Sequence, residues 1–144
     1  MVIEVVILFE RPRCQAVRGT LSGGSGTVCT MDIRELTARV ENISQIYASR
    51  FGITRDDDWQ ILKLQEEVGE LTQAHLMRQG QARRKGLSHA QIEACFRAEV
   101  ADVLSQILLL AHHHDIDVVD EIERKWFVWQ DASPRPGDVL ANEA

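Results

Sequence analysis

From residue 31 onward, apolar positions recur at intervals of three and four, the spacing of one face of an α-helix. Ile33, Leu36, Val40, Ile43 and Tyr47 form the first series, opened by Asp32 with Glu35 three residues on and closed by Gly52. A second series, Ile61, Leu64, Val68, Leu71 and His75, predicts a helix from Asp57 or Asp58 to Gln79, stopped at Gly80. The joint "GQARRKGL" is short and basic. Ser88 with Gln91 then makes a capping box, and Ile92, Phe96, Val100, Val103, Ile107 and Leu110 carry a third helix to about His113. A fourth begins at Ile116 and Asp117 and runs through "VVDEIERKWFVWQ", until "SPRPG" ends regular structure. Helices with short joints, and no strand pattern after residue 30, predict an all-α four-helix bundle.

Residues 1–30 differ in character from the rest of the chain. A β-like run from Val2 to Phe9 precedes "RGTLSGGSGTVCT", and the segment reads as a poorly ordered or β-like N-terminal extension, with Met31 a natural chain start. The expected organisation is therefore an extension over 1–30, a helical domain over 31–132 and a tail over 133–144.

Composition narrows the partners more than the fold. The chain is 44% hydrophobic and 26% charged, as in ordinary globular proteins, and no apolar stretch is long enough to span a bilayer. A net charge of −6 argues against nucleic acid and anionic membranes. A polyphosphate substrate stays compatible with that charge when metal ions intervene. The cysteines, Cys14, Cys29 and Cys95, are odd in number and widely spaced, which predicts reduced thiols and a cytoplasmic location.

The acidic residues change the picture most. Turning about 100° per residue, Glu67 falls roughly 80° and Glu70 roughly 140° from the centre of the second helix's apolar stripe. On the third helix Glu99 falls roughly 60° and Asp102 roughly 120° from the stripe, on the same-handed flank. The short joint makes these helices antiparallel neighbours. Same-handed flanks of a facing antiparallel pair lie on one side, and both acidic pairs sit about 16 Å from the connecting loop at 1.5 Å per residue. The four carboxylates are thus expected to converge on one rim. Acidic helix flanks are commonly solvated surface, with Lys63 then simply pairing with Glu67 at i+4. Two pairs matched in spacing, flank and height favour a shared site instead.

Such a cluster is costly by itself, since like charges 4 Å apart repel by about 4 kcal/mol at an effective dielectric near 20. Divalent cations remove that cost. Oxygen ligands without paired histidine or thiolate favour Mg²⁺, with Mn²⁺ as a substitute. Such ions are usually shared with substrate phosphates and activate water for in-line attack.

"EEVGEL" followed by "EVADVL" resembles the MazG-like, all-α nucleoside triphosphate pyrophosphohydrolases, whose signature is E-x-x-E, a spacer, then E-x-x-D. It falls here on Glu67, Glu70, Glu99 and Asp102, with 28 residues between the halves. The resemblance covers roughly residues 31–130. It implies Mg²⁺-dependent cleavage between the α and β phosphates of a nucleoside triphosphate, giving a monophosphate and pyrophosphate. It also implies that the four acids hold metal and that Glu67 or its neighbour Glu66 orients the attacking water. The protein is then expected to be a dimer or tetramer whose site is completed across subunits. Relatives of narrower specificity, for dUTP/dUDP or phosphoribosyl-ATP, stay open, as does a metal-binding helical bundle without catalysis. The family's last helix often carries a lysine, an asparagine four on and an arginine three further. Lys125 takes the first place here, but Trp129 and Ala132 take the others.

Other residues have plainer readings. Lys63, on the carboxylate flank, is a candidate phosphate contact; Arg83, Arg84 and Lys85 read as a solvated basic turn. His112, His113 and His114 point about 100° apart on a helix and complement its negative end rather than forming a metal box. His75 reads as a core or interface histidine, and Trp59, Trp126 and Trp129 as packing or subunit contacts. Cys95 reads as a small buried filler. No glutamate has a histidine three residues on, which excludes a ferritin-like di-iron pattern.

Overall fold

The computed structural model describes residues 31–130; the expectations for the N-terminal extension and the C-terminal tail fall outside them. All regular structure there is helical, as expected: α1 (Ile33–Phe51), α2 (Asp57–Arg78), α3 (His89–His113) and α4 (Val118–Trp126), followed by a 3₁₀ turn at Phe127–Trp129. The chain divides into two compact units inside α3, one ending at Leu110 and the next starting at Ala111.

Each helix start is fixed locally. The Asp32 carboxylate accepts from the Glu35 backbone N–H at 2.8 Å, and Asp56 does the same for Trp59 at 2.8 Å. At α3 the predicted capping box is complete: Ser88 N–H donates to Gln91 Oε1 at 2.9 Å, and Gln91 N–H to Ser88 Oγ at 3.3 Å. At α1 it is half made, because the Glu35 side chain turns instead to Arg39. Asp117 caps α4 through the N–H groups of Val119 and Asp120. Gly52 ends α1 at φ +64, a conformation that glycine, without a Cβ, adopts at least cost. Helix α4 ends at Trp126, four residues short of the sequence expectation, because the chain tightens there into the 3₁₀ turn.

Within the first unit α2 and α3 run antiparallel, as their cross-helix partners show. Descending α2 from Arg78 through His75 to Glu70, the partners ascend α3 from Glu93 through Phe96 to Glu99. Arg78 Nε lies 2.8 Å from Glu93 Oε2, and its guanidinium lies 4.8 Å from the Phe96 ring centre. Helix α1 is tied to the joint that precedes α2 by a two-pronged ion pair from Arg55 to Glu41, at 2.5 and 2.9 Å.

The buried face of α2 is not the predicted apolar stripe. Gln60, Glu67 and Ala74 are buried, each one residue before the expected Ile61, Val68 and His75. With Leu64 and Leu71 half-buried and common to both faces, the centre of the buried face is rotated by roughly 60°. Ile61 and Val68 are 53% and 37% exposed, and His75 is exposed rather than in the core. On α3, Ile92, Cys95, Leu108 and Leu109 are buried, while Val100 and Ile107 of the predicted stripe are 46% and 43% exposed. The seam between these helices therefore carries the polar residues, and much of the apolar stripe faces outward. Of the cysteines, Cys95 alone lies among the described residues, and it is buried, as expected of a small filler.

Candidate metal centre

Because α2 is rotated, Glu67 lies in the seam rather than on its flank, and it is 6% exposed. Oxygens of Glu67, Glu70 and Glu99 lie within 4.8 Å of one another, one carboxylate buried, one half-buried and one exposed. The Glu99 Oε2 atom is shut off from solvent. Asp102, expected as a fourth ligand, stands outside this trio but close enough for its charge to act on Glu67. Three of the four expected ligands are thus brought together and the fourth stands near.

Lys63 completes the electrostatics. Its Nζ lies 2.7 Å from Glu66 Oε2 and 3.0 Å from Glu67 Oε1, with the side chain only 12% exposed. Burial pushes the Glu67 carboxyl above the usual glutamate range. Lys63 pulls it part of the way back, and Asp102 and Glu70 add to the rise. For Lys63 itself burial opposes the charge, but Glu66 and Glu67 outweigh it, so its pKa lies above the ordinary lysine value. The cluster is therefore short of positive charge even with a lysine inserted in it.

The donor set fits a small hard cation. Octahedral oxygens about 2.1 Å from Mg²⁺ stand about 3.0 Å apart when adjacent and about 4.2 Å when opposite, so side-chain rotation that draws the trio together would bring it onto one ion. Carboxylate oxygens alone, without imidazole or thiolate, suit Mg²⁺ or Mn²⁺.

The remaining expected residues fall elsewhere. Arg83, Arg84 and Lys85 occupy the turn after α2, with positive φ at Lys85 and Gly86. Trp59 is half-buried, with the Arg55 guanidinium 5.8 Å from its ring centre. In the second unit Lys125, Trp126 and Trp129 are exposed, as are His112, His113 and His114 at the end of α3. The His113 and His114 rings meet edge-on at 4.9 Å.

One polar residue escaped sequence reasoning. Gln60 is 0% exposed, and neither its Oε1 nor its Nε2 has a hydrogen-bond partner. The available signal was positional: Gln60 stands seven residues before Glu67, two turns up the same face of α2. Comparison with family models, curated proteins and solved structures gives no match for this chain.

Proposed function

We propose that this protein is a Mg²⁺-dependent nucleoside triphosphate pyrophosphohydrolase, releasing a nucleoside monophosphate and pyrophosphate. The observation that carries the reading is the close approach of Glu67, Glu70 and Glu99 from two neighbouring helices. Carboxylates gathered around the buried Glu67 repel one another unless cations neutralise them, so their assembly at the α2–α3 seam is support for a bound ion. Mg²⁺ held there would neutralise phosphate charge and lower the pKa of water.

The chain's own residues divide the remaining work. Glu67, Glu70 and Glu99, with Asp102 beside them, would hold the cation. Glu66, 31% exposed beside Lys63, would accept the proton of a water whose oxygen attacks the α-phosphorus. The bond from that phosphorus to the bridging oxygen breaks, and pyrophosphate leaves. Lys63, released from its carboxylates as the cation takes over their charge, would turn to a substrate phosphate. The exposed Ile61, Val68, Val100 and Ile107 support self-association as a dimer or tetramer.

The test is a panel of NTPs and dNTPs, with dUTP, dUDP and phosphoribosyl-ATP included, incubated with Mg²⁺ and assayed for pyrophosphate or, for dUDP, phosphate release. Turnover that is abolished in Glu70→Gln and Asp102→Asn supports the reading. No turnover by the wild type, or equal turnover by the variants, contradicts it.

A further inference from the structure

The seam between α2 and α3 continues past the carboxylates toward the start of α2. There it carries two glutamines with unmet hydrogen-bonding atoms, both amide atoms on Gln60 and the Oε1 on Gln106. Gln60 is fully buried with both amide atoms unpartnered, and on α3 the Oε1 of Gln106 is buried and unpartnered. Burying an amide without partners costs folding free energy, so native interiors rarely leave one this way.

Their positions relate them to the metal centre. Gln106 follows Asp102 by four residues and Glu99 by seven, on the same face of α3. Gln60 precedes Lys63 by three and Glu67 by seven, on the same face of α2. In the antiparallel register that brings Glu70 beside Glu99, both amides belong to one end of the seam. Gln60 lies about 10 Å from Glu67 along the helix axis at 1.5 Å per residue. The strip thus runs from carboxylates through Lys63 to amides. Metal-bound phosphates at one end and a nucleobase at the other would match that order.

Resting on the hydrolase reading, we infer that Gln60, assisted by Gln106, recognises the base of the nucleotide. A glutamine amide offers a donor beside an acceptor, which complements the adjacent acceptor and donor on a nucleobase edge. The bound base would supply the partners that the folded chain withholds. Because the Gln60 amide and the Gln106 Oε1 are out of water, a base with the wrong pattern would leave them unpaired and be rejected.

The experiment compares kcat/KM across the four common bases for wild type, Gln60→Leu, Gln60→Met and Gln106→Leu. Replacing an unpartnered buried amide with an apolar side chain of similar size preserves or raises stability, which thermal melting verifies. The Gln60 variants are expected to lose about ten- to hundredfold on the preferred base. The least preferred base changes little, so the ratio between bases collapses; Gln106→Leu gives a smaller loss in the same sense. An equal loss on every base, or an unchanged ratio, overturns base recognition and leaves the hydrolase intact. Absence of any wild-type turnover overturns both.

Discussion

At the scale of single residues, Glu67 shows how burial and charge set the behaviour of the site. Its native carboxyl holds a proton more tightly than the unfolded one, because burial and two neighbouring acids outweigh the help from Lys63. The native state therefore binds more protons over that interval. The contribution of Glu67 to the stability of the metal-free protein is greatest below the usual glutamate range and falls as pH rises through it toward the elevated native value. Glu67→Gln removes that slope while leaving Lys63 paired with Glu66. Urea denaturation in chelator across pH checks this, and an unchanged profile in the variant contradicts it. A direct ligand matters at least as much as the outer-sphere partners of a metal, worth about 10–100-fold in affinity. Glu70→Gln and Glu99→Gln are accordingly expected to lower pyrophosphate release by about 10–100-fold, measured at Mg²⁺ below the concentration that saturates the wild type.

At the scale of elements, local signals and long-range ties make separate contributions. Ser88→Ala removes one arm of the capping box at α3 and is expected to cost about 1 kcal/mol in denaturant melts. Glu41→Gln breaks the ion pair to Arg55, whose side chains are 12% and 14% exposed. It is expected to cost about 3 kcal/mol, because a largely buried guanidinium loses its countercharge. A loss below that of Ser88→Ala would show the pair to be solvated. The capping residues were legible in the sequence because their partners lie three residues away, as Asp32 and Ser88 show. The carboxylate convergence was legible because helix periodicity and one short joint decide it. The rotation of α2 was not. Apolar character alone does not say whether Ile61 and Val68 face their own core or another surface. Nor does it announce that Gln60 and Glu67 occupy the seam.

At the scale of the whole molecule, the outward apolar stripes and the inward acids belong to one arrangement. No helix among the described residues is long and apolar enough to cross a membrane. Ile61, Val68, Val100, Leu104 and Ile107 are between 37% and 53% exposed, more than a lone chain would be expected to leave wet. A second copy is the expected cover. Wild type should sediment as a dimer or larger, and Val68→Glu with Ile107→Asp should shift it toward monomer; a monomeric wild type contradicts this. The claim beneath all of these outcomes is that the α2–α3 seam binds a divalent cation through its glutamates. Titrating Mn²⁺ into the purified protein, with free ion followed by electron paramagnetic resonance, tests it most directly. Saturable binding that Mg²⁺ displaces and that Glu67→Gln, Glu70→Gln and Glu99→Gln each weaken is the predicted result. No saturable binding, or binding untouched by all three substitutions, would contradict it.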